Sequence, residues 1–341
     1  QTYLQDLDSI SCLSYITALT IKQFRMETES FSNRILQNLS RLNIDINTFN
    51  TLSEQVNANS LLQFFNFRDL QNLKFLALRV SLNNDITVKN NFFEVFSLPA
   101  SLESIELDVS DMACQENDPI YQTFYEKWKS LDSLKNLQIQ VKDKTSLETV
   151  QIFVRGIMKQ LPAGLETFSL IHAGPAPDQE IETSIAELRE FFGMLQDSKK
   201  TLKVLEISCQ KIRFGEDLFE NGFEDFEDLS VKGDILDSQN LIRVLKSVSV
   251  KKVTLNSLMM NDLRAFEDLL ESLGEVPENL ELDLHLNMLA LEQKKWWENF
   301  HTKFEKLTVK GVVSLSLENT RKQSLKVLED LIVVLRKKSI F

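Results

Sequence analysis

Residues 201–208 read Thr-Leu-Lys-Val-Leu-Glu-Ile-Ser, and their apolar members are Leu202, Leu205 and Ile207. Counted from Leu202 as position 1, these side chains occupy positions 1, 4 and 6. Alternation of apolar and polar residues across positions 4 to 7 is typical of a half-buried β-strand. The same spacing returns along most of the chain, so this stretch predicts the repeating unit of the protein.

The copies of this spacing begin 24 to 37 residues apart. Their first residues are Leu39, Leu73, Leu102, Leu134, Leu165, Leu202, Phe226 and Val250. Two internal matches support a true repeat: residues 226–233 share six of eight residues with 304–311, and 98–103 closely match 161–166. Near Leu280 the register is ambiguous by about one residue, and the copy at Val312 follows the preceding one too closely for a full unit, which predicts an edge strand or a capping hairpin.

Amphipathic segments lie between the predicted strands. Apolar residues recur at helical spacing in 146–161, 178–196, 261–273 and 289–304. Aromatic residues recur in the same way in 121–128, where an outer helix packed on the core explains them. One strand and one helix in each unit of ~25–35 residues predict a parallel sheet with helices on its outer side.

The chain from about Leu39 to Leu317 resembles the leucine-rich-repeat superfamily, in its long, irregular, ribonuclease-inhibitor-like form. The resemblance implies an α/β solenoid, a horseshoe with the parallel sheet on the concave face and helices on the convex face. The chain departs from the family where Asn or Cys usually stands eight residues after the first Leu. Those positions hold Ser81, Ser110, Lys142, Ala173, Gln210, Asp234 and Leu258.

The repeats divide the chain into three expected parts. Residues 1–38 form an N-terminal cap or first irregular repeats, 39–317 form the repeat array, and 318–341 form a C-terminal capping helix and basic tail.

Composition narrows the class of partner. The formal net charge is −12 and the isoelectric point is about 5.0, which disfavours nucleic acid and suits a basic protein partner. No apolar run approaches the ~18 residues of a membrane helix, so we expect no membrane association. The three cysteines show no metal spacing and indicate buried thiols in a reducing, cytoplasmic setting.

Catalytic signatures are missing from the sequence. It has no glycine-rich phosphate loop, no HExxH and no GxSxG. His172, His285 and His301 have no partner at ligand spacing. We therefore expect no catalytic residue, no metal ligand, no cofactor and no enzymatic activity.

Side-chain alternation predicts the binding surface instead. In each strand, positions 3, 5 and 7 point away from the core. The residues predicted to bind a partner on this concave face are Phe75, Arg79, Glu106, Asp108, Gln138, Gln140, Ser169, Glu206, Ser230, Lys232 and Thr254.

A second candidate is the acidic segment, residues 215–228, which holds seven acidic residues and no basic one. One interpretation is a solvated outer face over an apolar stripe of phenylalanines. The other is a docking site for a basic partner through Glu220, Glu224, Asp225 and Glu227.

These features favour a non-enzymatic protein–protein interaction module, or a structural subunit of a larger assembly, that binds its partner on the concave face. The alternative is a regulator of enzymes, either a ubiquitin-ligase substrate receptor or a GTPase-activating leucine-rich-repeat protein. Arg79 is the only arginine predicted on the inner face of the clear copies between Leu73 and Asn256, which makes it the lead for the second activity. The partner and the oligomeric state stay open at this point.

Overall fold

A computed structural model gives the structure of the protein. It describes residues 16–22, 37–46, 66–81, 92–94, 96–110, 119–142, 146–161, 163–172, 185–195, 200–214, 227–235, 249–259, 279–287 and 312–318, together with 240–241, 243, 246 and 277. The chain divides into two compact units, residues 1–184 and 185–341.

The first unit contains a parallel sheet whose strands follow one another in chain order. Its described strands are β1 (Ala18–Lys22), β2 (Arg41–Ile46), β3 (Phe75–Ser81), β4 (Ser104–Ser110), β5 (Asn136–Lys142) and β6 (Thr167–His172). In register, Leu76 lies beside Ile105, Ile105 beside Leu137, and Leu137 beside Phe168. The predicted row of apolar side chains is therefore present as neighbours on one face of this sheet.

The apolar positions of the repeat build the core of the first unit. Position 1 residues such as Leu73 and Leu102, and position 4 residues such as Leu76 and Ile105, are buried. Position 8 is buried as well, for example at Val80, because the strands run on past the point where the sequence pattern ends. The strands remain paired through Ser81, Ser110 and Lys142, the positions where the leucine-rich-repeat family usually carries Asn or Cys.

In the described part of the first unit, helices and a short 3-10 turn supply the other side of this core. Helix α1 (Pro119–Glu126) continues into the 3-10 turn Lys127–Ser130, and α2 (Leu147–Met158) follows β5. Ser146 caps α2 by accepting a 3.2 Å hydrogen bond from the backbone N–H of Thr149. The aromatic rings of Phe124 and Phe153 stack with centroids 5.7 Å apart, so the predicted helical spacing serves the core.

Lys127 ties this helical layer to the helical residues 92–94. Its ammonium donates a 3.1 Å hydrogen bond to the carbonyl oxygen of Phe93 and a second one to that of Glu94. Burial lowers the pKa of Lys127 from its ordinary value because the charged form loses solvation.

Each new strand is attached to the preceding repeat at position 2, the residue that follows the first apolar residue of the spacing. In the first unit, the backbone N–H groups of Lys74 and Phe75 both donate to the carbonyl oxygen of Ser40, and those of Glu103 and Ser104 both donate to that of Lys74. The carbonyl of Glu103 receives the next pair in the same way. These shared acceptors hold the units in one register.

The position 2 side chains alternate in charge along this row. Lys74 lies 2.8 Å from Glu103, and Lys135 lies 3.4 Å from Glu166, as nitrogen-to-oxygen distances. The hydrogen bond from Lys74 lowers the pKa of the Glu103 carboxyl. We call Lys74, Glu103, Lys135 and Glu166 the charge ladder.

The second unit contains a parallel sheet of the same kind. Its described strands are β7 (Ile185–Glu187), β8 (Val204–Arg213), β9 (Asp228–Ile235), β10 (Lys252–Met259), β11 (Glu281–Asn287) and β12 (Val312–Glu318), with helix α3 (Leu188–Met194) between β7 and β8. Strands β8 to β12 pair in chain order, and β7 pairs in parallel with residues 211–213 of β8. The copy at Val312 is thus a parallel strand beside β11.

A bulge separates the two halves of the β8–β9 pairing. Ser208 lies opposite Lys232 and Lys211 opposite Asp234, so two residues of β8 face Gly233 alone. Gly233 has φ +147°, a conformation that residues with a Cβ rarely adopt. This bulge brings the backbone of β9 against the carbonyl group of Cys209.

Two sequence expectations are corrected or sharpened here. The predicted helix at 178–196 is wrong at its centre, where Ile185–Glu187 form β7 because the long strand β8 offers backbone partners at 211–213. Helix α3 starts at Leu188. The ambiguous register near Leu280 is resolved, since Leu282 pairs with Val253. The expected helices at 261–273 and 289–304, the capping segment after residue 318 and most of 1–38 lie outside the described residues.

Candidate functional site

The polar face of the first sheet has a depression above Ala77, with a volume of about 330 Å³. Ala77 stands at position 5 of its unit, between Asn43 of β2 and Glu106 of β4. Its methyl group cannot fill the space that the longer side chains on both sides enclose. The depression therefore follows from one small residue in the middle of a row of large polar ones.

Arg79 crosses one side of this depression and joins three adjacent strands. Its Nε donates a 2.7 Å hydrogen bond to Oδ2 of Asp108, and its Nη1 donates a 3.1 Å hydrogen bond to Oδ2 of Asp45. The hydrogen bond to Asp108 is the largest cause of a raised pKa for Arg79. Parallel register makes this arrangement inevitable, because Asp45, Arg79 and Asp108 occupy the same position of consecutive units.

The two carboxylates differ from the arginine in exposure. The side chain of Asp108 is 10% exposed and that of Asp45 is 17% exposed, whereas Arg79 is 51% exposed. Asp45 Oδ1 is buried and has no hydrogen-bond partner among the described residues. Arg79 thus holds two largely buried acids in place while its outer edge reaches solvent.

Glu106 lines the depression beside Ala77 and forms no ion pair with the described part of the chain. Gln138 and Gln140 extend the wall along β5 with carboxamide groups that both donate and accept hydrogen bonds. Three carboxylates against one guanidinium leave this site with an excess of two negative charges. The chemistry it offers is recognition of a positively charged, hydrogen-bonding group.

Phe75, the first residue of β3, makes a different contact. The guanidinium carbon of Arg41 lies 3.9 Å from the centre of the Phe75 ring, in a cation–π arrangement. Phe75 is therefore partly covered by Arg41, which stands beside it in register.

On the polar face of the second unit, several negative charges lie beside positive ones. Glu206 forms an ion pair and hydrogen bond with Lys232, and both side chains are partly exposed. Asp228 lies beside Lys252 and Lys252 beside Glu281, which gives alternating charges across β9, β10 and β11. Burial is the main cause of the raised pKa of Asp228.

Most of the predicted concave residues lie where the alternation places them. Two of them differ in exposure: Ser169 is buried beside Gln138 in register, and Asp108 is buried and accepts a hydrogen bond from Arg79. The predicted residues that stay at least partly exposed on the two polar faces are Phe75, Arg79, Glu106, Gln138, Gln140, Glu206, Ser230, Lys232 and Thr254.

The structure describes two residues of the acidic segment, Glu227 and Asp228. Glu227 is exposed, and its carboxylate lies 3.7 Å from the ammonium of Lys251. Glu220, Glu224 and Asp225 lie outside the described residues, so the choice between the two interpretations of this segment stays a prediction.

Strand β2 contributes residues that the sequence prediction missed. Asn43 and Asp45 line the depression, although the predicted surface began only at Phe75. They occupy positions 5 and 7 counted from Leu39, so the same spacing rule identifies them once that copy is included.

The described part of the chain offers few groups for metal binding or for reactive side-chain chemistry. Within it, no group of three or more His, Cys, Asp or Glu residues is placed to hold a metal ion. Burial raises the pKa of the Cys209 thiol to about 12, which leaves it protonated and unreactive at neutral pH. His172 is buried at the end of β6.

Among the described helices, none has both the length and the hydropathy that crossing a bilayer requires. In comparisons with known proteins, no family model and no curated protein matches this sequence.

Proposed function

We propose that this chain is a leucine-rich-repeat protein that acts as a non-enzymatic interaction module or structural subunit, and that it binds a protein partner on the polar face of its parallel sheet. The repeated 1-4-6 spacing and the parallel, in-register strands support the repeat assignment. The partner is a basic protein, as the net charge of −12 suggests.

The observation that carries this proposal is the polar depression in the first sheet. Its lining combines three carboxylates with one guanidinium on adjacent strands, whereas Glu206 and Lys232 pair with each other in the second unit. Around Ala77 the charges do not balance, and Glu106 has no ionic partner among the described residues. Preformed polar groups on rigid strands lower the ordering entropy that binding costs.

The regulator of enzymes receives less support. A GTPase-activating protein that supplies an arginine finger needs that side chain to be free to enter its partner's active site. Arg79 already donates to both Asp45 and Asp108, so extending it would leave two largely buried carboxylates without their counter-ion. The region in which a ubiquitin-ligase receptor would carry an adaptor-binding helix pair lies largely outside the described residues.

The test compares partner capture by two variants of the full chain. The first variant carries Gln138→Lys and Gln140→Lys, which add positive charge to the polar face without touching the core. The control carries Gln71→Lys and Gln122→Lys, which add the same charge at exposed sites on a turn and on α1.

We expect proteins captured by the natural chain and by the control to be lost from the face variant. Mass spectrometry of captures from the cells that make the protein measures this difference. Identical protein sets from both variants would exclude the sheet face as the binding surface.

A further inference from the structure

We infer that the depression above Ala77 is a receptor for one arginine or lysine side chain, presented by an extended segment of the protein partner. This inference rests on the proposed function and assigns it a subsite. The Glu106 carboxylate is the group that pairs with the incoming cation, and the carboxamides of Gln138 and Gln140 hydrogen-bond to the segment around it.

The size and position of the depression fit a side chain better than a folded surface. Its volume of about 330 Å³ lies at the small end of the range for ligand sites, ~300–1,000 Å³. Ala77 is the smallest residue that lines the depression, so the space beside Asn43 and Glu106 is open to an incoming side chain.

The charges select the sign of the occupant. Arg79 uses its Nε and one terminal nitrogen on Asp108 and Asp45, so these acids are already partly neutralised. Glu106 has no such partner among the described residues, and it lies two residues before Asp108 on the same face of β4. An incoming cation thus gains a new pair at Glu106, and an incoming carboxylate meets an excess of negative charge.

The amide groups give the site its preference for a peptide over a free amine. Gln138 is the register neighbour of Glu106, and Gln140 that of Asp108, so both carboxamides lie one strand beyond the acidic wall. An extended backbone that crosses β4 toward β5 offers N–H and C=O groups at that distance, because adjacent strands lie ~4.8 Å apart. A single capped arginine carries only the two amide groups beside its own Cα, whereas a longer segment offers further N–H and C=O groups along β5.

The experiment titrates the full chain with defined probes and follows amide shifts by transverse-relaxation-optimised NMR at ~50 mM salt, where charges are weakly screened. The first probe is the capped peptide Gly-Ser-Arg-Ser-Gly, and the second has Gln in place of Arg. The third probe is Nα-acetylarginine amide. We expect the Arg peptide alone to bind appreciably, with roughly millimolar affinity and shifts centred on Ala77 and Glu106.

Three variants separate a formed site from general attraction. Glu106→Gln should weaken binding of the Arg peptide at least about tenfold, because it removes a charge-assisted hydrogen bond. Ala77→Leu should abolish binding while leaving every charge in place. The control Glu103→Gln removes the same charge on the neighbouring ladder position, and it should leave affinity within about twofold because Glu103 is exposed to solvent screening.

Three results would overturn the inference: equal losses from Glu106→Gln and Glu103→Gln, undiminished binding by a folded Ala77→Leu chain, or acetylarginine amide binding as tightly as the peptide. Each leaves the proposed function intact if the Gln138 and Gln140 lysine variant still loses its partners. Retention of those partners by that variant removes the proposed function itself, and the subsite with it.

Discussion

Replacing Gly156 by alanine should destabilise this protein, although alanine is the better helix former. Gly156 lies inside α2, where its missing side chain leaves room for the Tyr125 ring of α1. A Cβ added there would lie 2.6 Å from Cε1 of that ring and closer still to Cζ and Cε2. Normal carbon contacts are ~3.5–4.0 Å, so the ring must retreat by more than ~1 Å.

The ring has little space into which it can move. Tyr125 is buried, and its ring centre lies 5.8 Å from that of Phe124 and 6.1 Å from that of Phe153. Overpacking of this kind costs about 1–3 kcal/mol, while the Gly-to-Ala change in a helix gains at most ~1 kcal/mol. We therefore expect a net loss of about 1–2 kcal/mol in the free energy of unfolding.

Gly193 provides the matched control, since it lies in α3 and a Cβ there would meet nothing within 4 Å. Gly193→Ala should stabilise the chain by about 0.5 kcal/mol through the helix preference alone. Urea unfolding followed by far-ultraviolet circular dichroism, with hydrogen exchange of α1 and α2, measures both variants. A stabilising Gly156→Ala change would refute the packing reasoning, as would an equal loss when Gly156→Ala is made in a Tyr125→Leu chain.

Four further predictions follow from the polar face and the bulge. Gly233→Ala should lower the free energy of unfolding by about 2–5 kcal/mol, because a φ of +147° is strained for alanine and the added Cβ would overlap the carbonyl oxygen of Cys209. Urea unfolding with hydrogen exchange of β8 and β9 would show this loss. A loss below ~0.5 kcal/mol would contradict the prediction. Arg79→Met should lower the free energy of unfolding by about 1–2 kcal/mol, because it leaves the buried Asp108 carboxylate without its cation. In a double-mutant cycle, adding Asp108→Asn should recover part of that loss, and strictly additive losses would argue against the ion pair. Asp228 has a raised pKa in the folded chain, so its protonated form is favoured by folding, and the associated stability is complete below the ordinary value of 3.8 and lost as pH rises through the folded pKa. Asp228→Asn should therefore raise the melting temperature slightly at pH 7 but not at pH 3, and a gain that persists at pH 3 would point to a cause other than charge burial. The Cys209 thiol, with its pKa of about 12, should resist a disulfide reagent at pH 8 in the folded chain and react at once in urea, which a timed absorbance assay distinguishes.

The strands of this protein were predictable because their signal is local. Each 1-4-6 copy places its apolar side chains on one face, and Leu76, Ile105 and Leu137 are neighbours in the structure as the spacing required. The polar face follows from the same rule, which is why Arg79 and Glu106 were assigned to it from the sequence.

The features that escaped prediction depend on pairing between distant residues. Strand β7 could not be read from 185–187 alone, because it exists by pairing with 211–213 of β8. The depression required knowing that Ala77 lies between Asn43 and Glu106, a matter of register and not of composition.

The charge ladder limits how this chain tolerates gain or loss of whole units. Lys74, Glu103, Lys135 and Glu166 alternate in sign, so deleting one unit would set two like charges side by side at the junction, and deleting two would not. The internal match between 98–103 and 161–166 spans two units and ends on an acid in both copies. Adding or removing repeats two at a time therefore keeps opposite charges next to each other, whereas a change by one repeat does not.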